Sequence, residues 1–256
     1  MKTFVIAEAA ACHDGSYEKA NQLVKVAKSI GADAVKFQWV SNARRLADRR
    51  NAQVYRHAYE NIQFPIGWLA ALKVECNTVG IEFMCTVYLP EDIPVIAPLV
   101  ERFKVASFES GDTSFLRDHA KYHKPLLIST GMMDERPSHV HGDLEIYWLH
   151  CVSSYPTPWD QLNLGVLRTG LYDGVSDHSA DIKGGMAAVL AGAEIVEFHI
   201  RLHETRKDNA DYQVALDPVL ARYYVEGIRL AEQALGDGIK RIMPCEQAML
   251  PYKIQA

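Results

Sequence analysis

The sequence predicts an α/β fold, a single-domain (β/α)8 TIM barrel over residues 1–256 with a short C-terminal tail from about residue 237. Three observations support this prediction. Eight short β-type runs recur along the chain, helical patterns lie between them, and no linker or low-complexity segment interrupts the alternation. A doubly wound sheet is the alternative, but no GxGxxG or GxxxxGKS/T motif follows any strand, so its usual nucleotide-binding signature is missing.

The eight candidate strands are rich in β-branched and aromatic residues. In order, they are FVIAEA (4–9), AVKFQ (34–38), EFMCTV (82–87), FKVAS (103–107), PLLIST (125–130), EIYWLHC (145–151), GVSDH (174–178) and EIVEFHI (194–200). Each run is short and mostly apolar, as expected for a strand that is buried in a parallel sheet.

Helical patterns are clearest in three segments. In SYEKANQLVKVAKSIG (16–31) apolar residues follow the 3.6-residue period, and Ser16 and Gly31 are suited to the two ends. PIGWLAALKVECNTVG (65–80) has Pro65 suited to the first turn and Gly80 beyond the last, and the final helix is predicted over 218–236. Segment 132–143, after the fifth strand, is too short and polar to predict a helix.

Composition excludes several classes of protein. The chain has 27 basic and 32 acidic residues, a net charge of −5, and its longest basic cluster is NARRLADRR (42–50), so nucleic-acid binding is not expected. No apolar run approaches the length of a membrane span, and Glu8 interrupts the apolar start, which therefore reads as a strand and not a signal peptide. Five cysteines without CxxC spacing predict reduced thiols in a cytoplasmic protein.

Polar residues end all eight predicted strands. In a barrel the active site gathers at the carboxyl ends of the strands, so these residues predict a site. In strand order they are Glu8, Lys36 and Gln38, Thr86, Lys104 and Ser107, Ser129 and Thr130, His150 and Ser153, Ser176 and His178, and His199.

Two histidines end the seventh and eighth strands, which are neighbours in a closed barrel. A single histidine at a strand end is more often a hydrogen-bonded structural residue, and His150 fits that description. Adjacent strands lie about 5 Å apart, so His178 and His199 can instead converge on one metal ion.

Charged and hydroxyl residues at the other strand ends suggest a second kind of ligand. Glu8 would be costly inside a barrel unless it is paired or functional. Lys36 is either functional or a salt-bridge partner of Glu8, Glu109 or Glu197. The convergence of Lys36 and Lys104 with several hydroxyl groups indicates a phosphate, which needs donors and positive charge.

Six motifs resemble, in order and spacing, the sialic acid synthase family (N-acetylneuraminate and related nonulosonate synthases). They are FVIAEAAACHDGSYEKANQLVKVAKSIGADAVKFQ, FKVASFESGD, KPLLISTGM, LHCVSSYPTP, VSDHS and AGAEIVEFHI, and the resemblance covers residues 4–236. It implies a (β/α)8 barrel that condenses phosphoenolpyruvate with an aldehyde sugar. The product would be a 2-keto-3-deoxy sugar acid, and the cofactor a divalent metal, Mn2+ or Mg2+.

The resemblance also implies roles for individual residues. The metal ligands would be His178 and His199, and Glu8 or Glu109 would orient the attacking water. The phosphoenolpyruvate contacts would be Lys36, Thr86, Lys104, Ser107, Ser129 and Ser176, with Ser153 standing where relatives often carry asparagine. Residues near the acceptor sugar or the water would be Glu8, Gln38, Glu109 and Tyr155. Small-molecule substrates and a possible homodimer are the partners expected, without nucleic acid or membrane.

Three departures from the family pattern concern the acceptor side. Relatives usually continue into an antifreeze-like domain that supplies an arginine to the partner's sugar site, and residues up to Ala256 leave no room for one. The usual NHNG-like stretch reads CHDG (12–15), and the loop after the eighth strand reads KDNAD (207–211). We therefore expect an acceptor other than N-acetylmannosamine, with an arginine of 44–50 as a replacement cation; a solvated helix face is the alternative for that segment.

Two other functions fit parts of the pattern. A metal-dependent aldolase or isomerase that does not use phosphoenolpyruvate explains the histidines but leaves the lysines and serines without a task. A non-catalytic sugar-binding barrel is compatible with the missing domain, although the histidines, lysines and Glu8 are all retained.

Overall fold

A computed structural model describes residues 2–137 and 144–254. Its eight parallel strands pair in chain order and close into a barrel, which confirms the predicted fold class. The strands are β1 (Phe4–Ala10), β2 (Ala34–Gln38), β3 (Glu82–Thr86), β4 (Phe103–Val105), β5 (Leu126–Ser129), β6 (Ile146–Cys151), β7 (Gly174–Asp177) and β8 (Ile195–His199).

Helices cover most of the outside of the barrel. The α-helices are α1 (Tyr17–Ser29), α2 (Ala43–Arg49), α3 (Arg56–Glu60), α4 (Gly67–Val79), α5 (Ile93–Ile96), α6 (Thr113–Ala120), α7 (Gly184–Ala191) and α8 (Pro218–Leu235). Short 3-10 helices occupy Gln53–Tyr55, Pro90–Asp92, Trp159–Gln161, Leu164–Thr169 and Pro244–Tyr252.

The three predicted helices are present, with one correction. The Ser16 side chain accepts a hydrogen bond from the amide of Lys19 and caps α1, and α4 ends at Gly80, whose φ of 73° few other residues adopt. Helix α4 begins at Gly67, so Pro65 lies before its first turn and not within it. Helix α8 follows the predicted bounds closely.

The strand–helix alternation is weaker after β5 and β6 than expected. Among the described residues, 130–137 contain no helix, and the remainder of the predicted nonhelical segment, 138–143, lies outside the described residues. After β6 the connection contains only 3-10 helices. Pro156 and Pro158 lack the amide donor that an α-helix needs, which accounts for the irregular path.

Two apolar regions hold the fold together. The larger one lies between the strands and the helices, where Phe37, Phe83, Phe103 and Phe198 are fully or almost fully buried. The second fills the amino-terminal half of the barrel interior, and we call it the apolar layer; it consists of Ile6, Ala34, Met84, Leu127, Leu149 and Ile195. Both remove apolar surface from water, which is the dominant favourable term in folding.

Beyond α8 the character of the chain changes. Every residue from Gln233 to Ile254 is exposed, including Ile239, Met249 and Tyr252. The segment that was predicted as a tail therefore adds nothing to the core within the described part of the chain. No helix in residues 2–137 or 144–254 is long and apolar enough to cross a membrane.

Candidate active site

A pocket opens at the carboxyl ends of the strands, where the sequence predicts the site. Fifteen residues line it: Glu8, Lys36, Gln38, Thr86, Tyr88, Lys104, Ala106, Ser107, Ser129, Cys151, Tyr155, Ser176, His178, Glu197 and His199. Eleven of the thirteen predicted site residues are among them. The exceptions are Glu109 and Ser153.

Strand geometry explains why these side chains meet. Successive residues of a strand point to opposite faces, so an inward residue is followed by another two positions later. One step beyond the apolar layer, the inward residues are polar, and we call this set the polar layer; its members are Glu8, Lys36, Thr86, Lys104, Ser129, Ser176 and Glu197. Each of them is at most 4% exposed.

Lys36 lies between two carboxylates of the polar layer. Its ammonium group contacts Glu8 directly, donates to the Thr86 hydroxyl at 3.0 Å and lies 3.6 Å from Glu197. The other oxygen of Glu8 accepts the amide of Ala10 at 2.7 Å. Lys36 therefore forms an ion pair with Glu8 and also lines the pocket, so a salt-bridge role and a functional role are compatible.

Glu197 is a pocket residue that the sequence analysis considered only as a partner for Lys36. Its carboxylate lies 3.3 Å from the Lys104 ammonium and accepts the Ser176 hydroxyl at 2.8 Å, while Oε2 has no hydrogen-bond partner. Burial alone would raise the pKa of Glu197, but Lys104 and Lys36 outweigh it and lower the pKa to about 2. Its position two residues before His199 on one strand face was the available signal.

The two histidines come together as predicted. The ring centroids of His178 and His199 are 5.3 Å apart, and Tyr155 packs against His178 at 4.3 Å. Nδ1 of His178 lies 2.9 Å from the carbonyl oxygen of Val152, and because a carbonyl only accepts, this nitrogen carries the proton. Nε2 of His178 therefore has a free lone pair.

His199 has an acidic neighbour that sequence reasoning missed. Nδ1 of His199 lies 3.2 Å from Oδ1 of Asp211, although the alignment falls short of a hydrogen bond. Burial lowers the pKa of His199 despite Asp211, which favours the neutral imidazole that a metal needs. Burial also opposes charge on His178, but Cys151 and Val152 outweigh it and raise the pKa of His178.

The two predicted residues outside the pocket lining are both close to it. Glu109 is buried and accepts two hydrogen bonds from Arg50, at 2.7 and 2.8 Å. The Arg50 guanidinium also stacks on the ring of Tyr88, which does line the pocket. The buried Ser153 hydroxyl has no hydrogen-bond partner and lies where a side chain at Gly131 would have to be.

The structure also shows the surroundings of His150, Ser107 and the cysteines. Nε2 of His150 donates a hydrogen bond to the carbonyl oxygen of Leu162 at 2.9 Å, in keeping with the structural role that was expected. Ser107, in the loop after β4, accepts the amide of Gly131 at 3.0 Å and links this loop to the turn after β5. All five cysteines are free thiols.

The residues present fit a divalent ion held by two imidazoles. In residues 2–137 and 144–254 there is no group of three or more His, Cys, Asp or Glu side chains arranged around one ion. His178 and His199 would therefore leave several coordination positions for water or substrate, as catalytic sites require. The orphaned Oε2 of Glu197 and Nδ1 of His199 mark the same part of the pocket as chemically incomplete.

The fold and the pocket define a class of protein, a (β/α)8 barrel with a charged, buried site at the carboxyl ends of its strands. Comparison with known proteins identifies the member of that class. Residues 23–240 match the NeuB family, which is most of the chain, so the chain belongs to this family. It is an enzyme of the sialic acid synthase type, which confirms the resemblance stated from the motifs.

Individual relatives agree with this assignment. The chain is 32% identical to the N,N'-diacetyllegionaminic acid synthase of Legionella pneumophila, over 94% of this chain and 75% of the relative. It is 30% identical to the pseudaminic acid synthase of Campylobacter jejuni, over 93% and 76%. The solved structure of the N-acetylneuraminic acid synthetase from Leptospira borgpetersenii has a TM-score of 0.86 at 25% identity, covering 98% of this chain and 91% of that one.

Proposed function

We propose that this enzyme condenses phosphoenolpyruvate with an aldehyde sugar to give a 2-keto-3-deoxy sugar acid and phosphate. One observation carries the proposal: two buried lysines, Lys36 and Lys104, face the same pocket as the histidine pair. Phosphoenolpyruvate carries up to three negative charges, and charge-assisted hydrogen bonds are the strong ones.

The polar layer suits this substrate better than a neutral sugar. Lys36 and Lys104 are buried in pairs with Glu8 and Glu197, and their charge is available only through the pocket. Within residues 2–137 and 144–254 the hydroxyl of Ser129 has no hydrogen-bond partner, so it is available to donate to a phosphate or carboxylate oxygen. Thr86 on β3 and Ser176 on β7 also present hydroxyls to the pocket.

The bonds of the proposed reaction balance as follows. Carbon 3 of phosphoenolpyruvate joins the aldehyde carbon, and the aldehyde oxygen takes up a proton. Water adds to carbon 2 and loses a proton, and the C–O bond to phosphate then breaks to leave the keto acid. Glu8 is the better placed group to orient the water, because it lines the pocket, whereas Glu109 lies outside the lining.

His178 and His199 would hold a divalent ion, Mn2+ or Mg2+. When bound, the ion would supply Lewis-acid polarisation of the acceptor carbonyl. The protein's own contribution is orientation, since the Val152 carbonyl fixes the His178 ring and Asp211 lies against the His199 ring. Tyr155 covers the histidine pair from one side.

The test is phosphate release from phosphoenolpyruvate with a panel of N-acetylhexosamines and other aldehydes, in the presence of Mn2+ or Mg2+. We expect release that depends on both the aldehyde and the metal. Lys104→Met should abolish it, and Lys183→Met, on the exposed turn before α7, is the matched control that should not. Aldehyde turnover without phosphoenolpyruvate would favour an aldolase or isomerase, and sugar binding without turnover a non-catalytic barrel.

Replacement of His178 or His199 by alanine tests the metal assignment separately. We expect loss of bound Mn2+ and of turnover in a protein that keeps its circular dichroism spectrum. A double variant with unchanged metal content would overturn the assignment. Cytoplasmic location and a homodimer stay predictions, to be checked by cell fractionation and light scattering.

A further inference from the structure

The loops after β1 and β8 contain the two stretches that depart from the family pattern near the acceptor, CHDG (12–15) and KDNAD (207–211). In the structure these two stretches contact each other. The residues that make these contacts do not line the pocket, and they have no role in the proposed reaction. Because the two stretches that depart from the family pattern contact each other, we interpret them as one structural change.

Asn209 is the centre of this contact. Its side-chain amide nitrogen donates to the carbonyl of Ala11 and to Oδ1 of Asp14, both at 2.8 Å. Its side-chain oxygen accepts the backbone amide of Asp211 at 3.0 Å. The Asn209 side chain thus connects the β1 loop to Asp211, two residues further along the β8 loop.

Asp14 completes the contact from the other side. Its side chain is 3% exposed and accepts from Lys19 at 2.8 Å, from the amide of Arg206 at 3.0 Å and from Asn209. Asp14 has a φ of 50°, a conformation that Asp tolerates better than most residues, and it is followed by Gly15 at 75°. The turn therefore aims a buried carboxylate at the β8 loop.

Asp211 is the residue that this contact fixes. One of its oxygens lies 3.3 Å from the amide of Ala11, and the other lies 3.2 Å from Nδ1 of His199. Residues 201–215 form no helix or strand, so regular backbone pairing does not hold Asp211 in place. The carbonyl of Asp211 accepts the amides of Val214 and Ala215 within the β8 loop, and side-chain contacts of Asp211 and Asn209 fix its position relative to the β1 loop.

We propose that Asp14 and Asn209 are positioning residues that hold Asp211 against His199 and thereby set the orientation of its imidazole ring. The part of this proposal that concerns a metal rests on the proposed function. Outer polar partners of a ligating histidine, here the Asp211 carboxylate 3.2 Å from Nδ1 of His199, orient its ring, and their loss typically lowers metal affinity about 10- to 100-fold. The orientation of the ring itself does not depend on the reaction.

The main variant is Asn209→Ala, which removes all three side-chain hydrogen bonds. We expect the dissociation constant for Mn2+, measured by calorimetry without substrates, to rise about tenfold or more. Phosphoenolpyruvate affinity should stay within about twofold, because Lys36 and Lys104 are untouched, and the loss of three hydrogen bonds of a buried side chain should lower the melting temperature by a few degrees. Asp208→Asn is the matched control, since Asp208 is exposed and its side chain pairs only with Arg206.

Asn209→Asp provides a second variant of the same size. It keeps an oxygen for the Asp211 amide but loses both donations and places a carboxylate against Asp14, so it should weaken Mn2+ binding at least as much. Asp14→Asn keeps an acceptor for Asn209 and should give an intermediate effect.

An NMR spectrum of the imidazole rings in the metal-free protein separates this proposal from the proposed function. Asn209→Ala should move or broaden the signals of His199 and leave those of His178 unchanged. That result supports the positioning role even if the wild-type protein releases no phosphate or binds no Mn2+. Unchanged His199 signals in both Asn209 variants would overturn it, as would equal shifts of the two histidines.

Discussion

The apolar layer and the polar layer are built by the same strands, one inward residue apart, yet their side chains are opposite in polarity. Ile6 precedes Glu8, Ala34 precedes Lys36, and Leu127 precedes Ser129 by two residues. The first of each pair removes apolar surface from water, and the second places a polar group in nearly the same degree of burial. One step of strand pleat therefore separates a residue that stabilises the barrel from a residue that we propose binds substrate.

The comparison shows how the barrel tolerates buried charge. The polar layer contains two lysines and two glutamates, and each charged group contacts at least one of opposite sign. Breaking such a pair is costly, whereas the intact pair contributes little net stability. A single substitution in the polar layer should therefore be strongly destabilising, because it leaves a buried charge without its partner. A substitution in the apolar layer should lower stability in proportion to the apolar volume that it removes.

The largest effect is expected for Lys36→Met. Removing the ammonium leaves Glu8 without its partner and should lower the free energy of unfolding by about 3–5 kcal/mol. It should also weaken phosphoenolpyruvate binding by about 2–4 kcal/mol. Urea unfolding and calorimetry measure the two effects.

A double variant, Lys36→Met with Glu8→Gln, sharpens this result. Removing both charges should recover much of the stability but none of the phosphoenolpyruvate affinity. If the single variant is as stable as the wild type, the polar layer is not held by its ion pairs and the comparison fails.

Leu127→Ala tests the other layer. Leu127 is fully buried, and a truncation of this kind costs about 2–5 kcal/mol, depending on how far the cavity collapses. Michaelis constants measured well below the melting temperature should stay unchanged. Ser129→Ala, one inward step later, should do the reverse, because the Ser129 hydroxyl has no partner to lose and is expected to contact phosphoenolpyruvate.

Much of the fold and of the polar layer could be predicted from the sequence, for one reason. Strand ends are visible as the points where apolar runs stop, and in a barrel all the carboxyl ends meet at one place. This argument located Lys36 and Lys104 and the histidine pair without any knowledge of strand tilt or register. The family resemblance added Tyr155 and the roles of individual residues.

The features that could not be predicted from the sequence depend on contacts between residues far apart in the chain. Asp211 lies in a loop with no periodic pattern, and its closeness to His199 follows from hydrogen bonds to the β1 loop, about 200 residues earlier. The spacing of Glu197 from His199 places both on one face of β8, but nothing in the sequence shows that Glu197 pairs with two lysines. The pairing of Glu109 with Arg50 likewise requires the path of the loop after β2.

A pH titration of stability contrasts the paired charges of the polar layer with a buried group that lacks a charged partner. His119 on α6 is 1% exposed, and burial lowers its pKa to about 4. The unfolded chain takes up a proton near the ordinary pKa of 6.5, which the native state resists, so stability is complete above that pH and falls as the pH drops towards 4.

The loss attributable to His119 is at most about 3.5 kcal/mol, at about 1.4 kcal/mol for each pKa unit. In His119→Met this part of the slope between pH 6.5 and 4 should disappear, as measured by urea unfolding at several pH values. His57→Met, at an exposed position of α3, is the control that should retain the slope. Equal slopes in all three proteins would show that His119 titrates normally in the native state.

The smallest effect is expected at the rim, where Arg50 connects the loop after β2 to the pocket. Of the arginines in 44–50, Arg50 is the least exposed; Arg49 pairs with Asp112 and Arg45 with Glu91 at the surface. Arg50 presents its guanidinium to Glu109 as a fork and stacks on Tyr88, so it is the arginine of this segment that can act on an acceptor.

Arg50→Lys keeps the charge, and with it a partner for the buried Glu109, but loses the fork and the stacking surface. We therefore expect the fold to survive and the Michaelis constant of the acceptor to rise about fivefold, which corresponds to about 1 kcal/mol. The constant for phosphoenolpyruvate should not change, because the lysines of the polar layer do not contact Arg50. Arg45→Lys is the surface control. A change in the phosphoenolpyruvate constant would mean that the rim and the polar layer act as one site, and the distinction between acceptor side and phosphoenolpyruvate side would have to be abandoned.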